Sequence, residues 1–177
     1  VKMIGEIHEC CPDVHIQAFT AVEIEHLSQI AKLPVRQTLK ILKEAGLGSL
    51  PGGGAEVFSP EIREQLCPEK LSGEGWLQVM REAHNLGLRS NATMLYGHVE
   101  TPEDRVNHLI KLRDLQDETG GFMSFIPLAF HPKNTELSNS SGTTAMLDLK
   151  VISISRLMLD NFDHIKAFWI MLGIKLS

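Results

Sequence analysis

The 177 residues, 43% hydrophobic and 22% charged, hold enough apolar mass for one globular domain and too much for a disordered chain. A formal charge of -5 and a pI near 5.9 leave no basic stripe for a phosphate backbone, so no nucleic-acid partner is expected. No apolar run approaches the ~20 residues that cross a bilayer, and residues 1–20 carry charges and histidines where a signal peptide needs an apolar core, so a cytoplasmic protein without membrane contact is expected.

In chain order, residues 1–9 read as the end of a helix. Residues 14–19 alternate His15 and Gln17 against Val14, Ile16 and Ala18, the period of a strand. Residues 21–31 and 35–45 are helical in period, with Leu33-Pro34 as the break and Gly46 as the stop. A short second strand at 48–50 runs into the glycine-rich segment Pro51-Gly52-Gly53-Gly54-Ala55-Glu56-Val57. Ser59-Pro60-Glu61 and Ser72 with Glu74 place cap-forming residues ahead of helices at 62–66 and 76–86, and Gly87 ends the second. The third strand, 89–96, leads to Thr101-Pro102-Glu103-Asp104, where Thr101 caps, Pro102 suits the first helical position and Asp104 reaches back as in a capping box. That helix stops at Gly120-Gly121. A fourth strand at 123–130, a polar loop at 131–143, a helix at 145–159 and a fifth strand at 164–172 complete the chain.

Strand and helix thus alternate, with no two strands in direct succession, which a (β/α) barrel and a doubly wound sheet both allow. No G-x-G-x-x-G opens a helix, so the usual support for a dinucleotide-binding fold is missing. A full eight-unit barrel takes roughly 250 residues, so these units read as part of one.

Active sites of such barrels lie at the C-terminal strand ends, which directs attention to His15, Gln17, Glu56, Asn91, Thr93, His98, Glu100, His131, Asn134, His164 and Lys166. Each histidine alone reads equally as a hydrogen-bonded strand-end residue, and a zinc site of converging imidazoles lacks a paired H-x-H. The glycines at 52–54 suit either close approach to a ligand or a tight turn. Glu56 after them suits an ammonium group or ribose hydroxyls. Arg63 and Arg105, near helix starts, either hold a carboxylate or lie solvated. Trp76, Met94, Leu95, Phe125, Phe130, Phe168, Trp169 and Met171 read as core. Cys10, Cys11 and Cys67 match neither a disulfide framework nor a C-x-x-C metal site.

Four long strings carry a resemblance: PGGGAEVFSPEIREQLCPEKLS from Pro51, SNATMLYGHVETPEDRVNHL from Ser90, LRDLQDETGGFMSFIPLAFHPKNTEL from Leu112 and RLMLDNFDHIKAFWIMLG from Arg156. They resemble radical S-adenosylmethionine (SAM) enzymes that act on menaquinone and deazaflavin precursors. The resemblance implies an α/β fold, a partial TIM-type (β/α) barrel of the radical SAM superfamily. Residues 1–177 would form a single domain holding about strands 3 to 7, without the N-terminal cluster-binding part or the C-terminal end. It also implies a 4Fe-4S cluster, whose C-x-x-x-C-x-x-C ligands this chain lacks, S-adenosyl-L-methionine consumed as substrate, a small-molecule substrate, and an electron donor such as flavodoxin or ferredoxin. FIPLAFHPKNT and HIKAFWIMLG most resemble the branch that adds the 5′-deoxyadenosyl radical to the enol ether of 3-[(1-carboxyvinyl)oxy]benzoate; a cyclase branch and a deazaflavin-forming branch share much of the pattern. By strand-end position, Glu56, Gly53, Gly54, Asn91 and Tyr96 are expected around S-adenosylmethionine. His98 and His131 are expected to move protons, and His15, Gln17, Arg105 and Asn134 to hold the substrate. A barrel without its first two and last strands exposes unpaired edges, so the chain alone is expected to be inactive and to associate through them.

Overall fold

In the computed structural model, which describes residues 1–135, 137 and 142–173, four parallel strands lie side by side in chain order. They are β1 (Ile16–Gln17), β2 (Leu47–Leu50), β3 (Arg89–Tyr96) and β4 (Phe122–Ala129). Parallel neighbours require crossovers, and the helices supply them. α1 (Lys2–Cys10) precedes β1; α2 (Ala21–Ala31) and α3 (Val35–Glu44) connect β1 to β2. α4 (Pro60–Leu66) and α5 (Gly73–Asn85) connect β2 to β3, and α6 (Pro102–Thr119) connects β3 to β4. α7 (Ala145–Met158) and α8 (Trp169–Leu172) follow. The strand order 1-2-3-4 has no reversal, unlike a doubly wound sheet, and is consistent with an arc of a (β/α) barrel.

Local chemistry fixes the helix ends. Thr101 accepts from the Asp104 N–H while the Asp104 carboxylate accepts from the Thr101 N–H, with Pro102 in the first turn, the box expected from sequence. Thr20 and Glu23 form a second box at the start of α2. Gly120, at φ +61°, takes the left-handed C-cap of α6.

Alternation along β3 and β4 assigns their two faces. Ala92, Met94 and Tyr96, with Phe125 and Ala129, lie buried against the helices, where Trp76, Met80, Ala83, Leu109 and Leu112 meet them. Phe122 stacks between Trp76 and Phe162 at centroid separations of 6.2 and 5.3 Å. The register pairs Asn91, Thr93 and Leu95 with Ser124, Ile126 and Leu128 on the face opposite the helices. Several of these side chains are only half buried, as on a barrel interior left open.

Two expected strands are shorter than their hydrophobic runs. The run at 14–19 is a strand only at Ile16–Gln17, with one further bond from the Ala18 N–H to Ser49 O at 3.2 Å before Phe19 turns the chain out at φ +60°. The run at 164–172 makes a single parallel bridge, Ile165 to Phe125, before the backbone coils into α8. Expectations for residues 136, 138–141 and 174–177 lie outside the described residues. Among the described residues no helix is long and apolar enough to cross a membrane.

Candidate functional site

Because all four strands run parallel, their C-terminal ends open onto one edge, and the loops leaving β1, β2 and β4 each carry a non-glycine residue at positive φ. These are Phe19 at +60°, Glu56 at +47° and Asn134 at +64°. The fourth such residue, Lys32 at +53°, is the C-cap of α2 and has a local reason. A left-handed conformation costs an L-residue roughly 1–2 kcal/mol, so strain gathered at one edge of a sheet points to a site there.

The loop after β2 shows what the glycines accommodate. A Cβ on Gly52 would meet the Asn91 carbonyl oxygen at 2.8 Å, one on Gly53 the Thr20 methyl at 2.9 Å, and one on Gly54 a Val22 methyl at 2.5 Å. The loop is therefore pressed between β3 and the start of α2, and packing alone requires glycine. Its carbonyls face the protein: Thr93 Oγ1 donates to Gly52 O at 2.6 Å and Trp76 Nε1 to Gly53 O at 3.1 Å.

Glu56 leaves this loop beside a cavity of about 320 Å³ lined by Gln65, Lys70, Leu95, His98, Phe130 and Thr135, among others. Lys70 Nζ donates to Glu56 Oε1 at 2.8 Å, and the Glu56 side chain is 18% exposed. An apolar wall of Leu95 and Phe130 with one ion pair at its rim is the composition of a small-molecule site. A larger cleft of about 380 Å³ lies among Phe58, Arg63, Cys67 and Lys111 on the helical layer. The strand-end cavity is the better candidate because it sits at the C-terminal edge, among residues that follow β2, β3 and β4.

The loop after β3 is a closed knot. Glu100 accepts from the N–H groups of Gly97 at 2.7 Å and His98 at 2.9 Å, and Arg105 Nη1 donates to it at 2.5 Å. The His98 ring is fully buried. Its Nε2–H donates to Leu95 O at 3.0 Å and its Nδ1 accepts from the Val99 N–H at 2.7 Å, so both nitrogens are engaged by backbone. The structure thus gives His98 a loop-holding geometry, with no ring nitrogen free to face a ligand. Arg105 does hold a carboxylate, but it is that of Glu100. Arg63, the other arginine near a helix start, is buried and bonds only carbonyls.

The remaining sequence-predicted residues divide between faces. His15 Nε2 and Gln17 Nε2 meet Ser49 Oγ at 2.8 and 3.1 Å, and Asn91 Oδ1 accepts from Ser124 Oγ at 2.8 Å, all on the open face of the sheet. Tyr96 lies on the other face, where its hydroxyl donates to Asp148 Oδ1 at 2.8 Å under α7; the structure does not bring it to the side of Asn91. Burial and the Asp148 carboxylate push the tyrosine pKa well above its usual value, so the hydroxyl stays a donor. His131 Nε2–H donates to Met171 O at 3.0 Å on an exposed loop, and Asn134 sits exposed in the turn that follows. Lys70 is the site residue sequence reasoning missed. It lies in the connection between α4 and α5, and only the tertiary fold carries it to Glu56.

Among the described residues no group of three or more His, Cys, Asp and Glu side chains could hold a metal ion. Cys10 and Cys11 are exposed at the end of α1, while Cys67 caps α4, so the thiols do not fit a cluster-binding set.

A parallel β/α sheet in unreversed order, with a ligand-sized cavity at its C-terminal edge, is the architecture of part of a (β/α) barrel. Residues 119–177 match the family model of the CofH/MqnC C-terminal region. Over 173 residues the chain is 52% identical to aminodeoxyfutalosine synthase of Thermus thermophilus, covering 96% of this chain and 46% of that one. It is 42% identical over 182 residues to the 5-amino-6-(D-ribitylamino)uracil--L-tyrosine 4-hydroxyphenyl transferase of Methanococcus maripaludis, covering 100% and 51%. The transferase of the same name from Methanospirillum hungatei is 42% identical over 174 residues, covering 96% and 48%. The chain spans about half the length of the curated relatives it matches.

Proposed function

We propose that this chain is the substrate-enclosing part of a radical SAM enzyme of the aminodeoxyfutalosine synthase type, a single partial-barrel domain whose strand-end cavity binds S-adenosylmethionine and an aryl enol-ether acid. The observation that carries the reading is the 52% identity to aminodeoxyfutalosine synthase across nearly the whole chain, against 42% to the transferases. The reaction joins the 5′-deoxyadenosyl group of S-adenosylmethionine to 3-[(1-carboxyvinyl)oxy]benzoate, releases methionine, loses one carboxyl group as bicarbonate after rearrangement, and yields 6-amino-6-deoxyfutalosine on the way to menaquinone. A 4Fe-4S cluster of the kind this superfamily uses would supply the electron that cleaves S-adenosylmethionine. The cysteines here do not suit it, so this chain contributes binding and enclosure.

The roles follow from position. Glu56 offers a carboxylate to the ammonium or ribose hydroxyls of S-adenosylmethionine, with Lys70 released to a carboxylate of either ligand. Gly53 and Gly54 let the loop pack against Thr20 and Val22 and so carry Glu56 to the ligand, and Asn91 lies on the open face of the sheet. Leu95 and Phe130 keep water from a radical that it would quench. Arg105 and His98 keep the β3 loop closed through Glu100. His15, Gln17, His131 and Asn134 lie along the sheet face and rim, where a dicarboxylated aromatic would extend.

The test uses the intact protein, its cluster reconstituted anaerobically, with S-adenosylmethionine, reductant and the enol-ether benzoate. The reading expects 6-amino-6-deoxyfutalosine by mass. A hydroxyphenyl adduct formed from tyrosine and 5-amino-6-(D-ribitylamino)uracil, with nothing from the benzoate, would instead make it a transferase of the second kind.

A further inference from the structure

Arg63 on α4 is 5% exposed and has no carboxylate partner among the described residues. A buried guanidinium is costly unless its donors are used. Here the two terminal nitrogens are spent on main chain, Nε alone staying without a partner: Nη1 donates to Ala55 O at 2.6 Å and, more weakly, to Val57 O at 3.4 Å, while Nη2 donates to Gly54 O at 3.3 Å and to Leu71 O. Between the two carbonyls held by Nη1 stands Glu56, at φ +47°, its own carbonyl accepting from the Leu95 N–H at 3.0 Å. With Thr93 on Gly52 and Trp76 on Gly53, every carbonyl from Gly52 to Val57 is turned into the protein. The strained residue is thus over-determined by its neighbours, and its side chain is left facing the strand-end cavity.

We propose that Arg63 is the positioning residue for Glu56: its guanidinium pins the carbonyls on either side and so sets the left-handed turn that aims the carboxylate at the ligand. This rests on the reading of the strand-end cavity as the S-adenosylmethionine site. A lysine at this position keeps the charge but offers one compact ammonium, which cannot span Gly54, Ala55, Val57 and Leu71 together.

The test compares wild type, Arg63→Lys and Glu56→Gln in the intact, reconstituted protein. Hydrogen exchange of the peptide covering 52–57 is measured alongside 6-amino-6-deoxyfutalosine formation as a function of S-adenosylmethionine. Arg63→Lys is expected to exchange faster in that peptide alone and to raise KM about ten-fold with kcat within about two-fold, the pattern of lost ground-state binding, and Glu56→Gln to raise KM similarly. A wild-type KM in Arg63→Lys overturns the proposal, as does faster exchange across the whole protein with kcat lost, which marks a general structural anchor. A wild-type KM in Glu56→Gln also overturns it. The exchange measurement needs no substrate. A loosened loop in a protein that forms no 6-amino-6-deoxyfutalosine sinks the reading of the reaction and leaves the positioning standing, whereas unchanged exchange overturns the positioning whatever the reaction does.

Discussion

Acidification should unfold this protein through two buried histidines, and the size of the effect can be worked from their contacts. Thr119 spends its hydroxyl proton on Leu115 O at 2.8 Å, so His84 Nδ1–H donates to Thr119 Oγ1 at 2.7 Å and His84 Nε2 accepts from Ser90 Oγ at 2.8 Å. His108 donates Nε2–H to Thr93 O at 3.0 Å, stacks on Phe58 at 3.9 Å and has no partner at Nδ1. Both rings are neutral; His108 has no acceptor for a second proton, and His84 gains one only if the Ser90 hydroxyl turns round. Burial, helped by Arg89, pushes the His84 pKa from 6.5 down to about 4. Burial, opposed by the Thr93 bond and helped by Arg63 and Lys111, pushes that of His108 down to about 3. A folded pKa below the unfolded one means that stability is complete above the unfolded value and falls as pH drops through it towards the folded value. Between pH 6.5 and about 4 each histidine therefore removes about 1.4 kcal/mol per pH unit, or about 4 kcal/mol for the pair between pH 7 and 5. That is a large share of the 5–15 kcal/mol typical of a whole domain, of order half at the midpoint. Urea unfolding at pH 7, 6 and 5 measures the loss, and His108→Phe should halve its slope. Stability independent of pH over that range, or imidazole resonances titrating near 6.5, would refute the reasoning.

Tyr96→Phe removes the donor to Asp148, a carboxylate only 5% exposed, and should cost about 1–3 kcal/mol in denaturant unfolding; an unchanged midpoint would contradict the buried bond. Gly121→Ala would bring a Cβ to 2.1 Å from His84 Cγ, and the forced shift should destabilise by about 1–3 kcal/mol or more, read as a lower melting temperature. The chain expressed alone keeps an open sheet face and a two-residue edge strand, and should elute as oligomers in size exclusion with light scattering. A monodisperse monomer would count against that.

Features written in short-range chemistry were legible in the sequence. The capping box at Thr101, the glycine stops at 87 and 120, and the long strands β3 and β4 lie within about a residue of their expected bounds. The run at 164–172 misled because apolar content does not distinguish a strand from a coil that ends in a short helix, and only the bridge at Ile165, through His164 O and Lys166 N–H on Phe125, ties it to the sheet. For the site, the positions of Glu56 and His98 were legible because loops after parallel strands share one edge. Their partners were not. Lys70 reaches Glu56 across 14 residues, and Arg63, readable as a solvated helix residue or a carboxylate holder, is instead a buried donor to main-chain carbonyls. Tyr96 sits one residue past Leu95, and in a strand one residue is the difference between the cavity face and the helix face.

The most direct measurement is a structure of the intact protein with S-adenosylmethionine bound. The account predicts the ligand in the strand-end cavity, walled by Leu95 and Phe130, with a Glu56 carboxylate oxygen within hydrogen-bond distance of its ammonium or ribose hydroxyls and Lys70 moved off Glu56. Ligand bound elsewhere, with the Glu56–Lys70 pair intact at 2.8 Å, would contradict it.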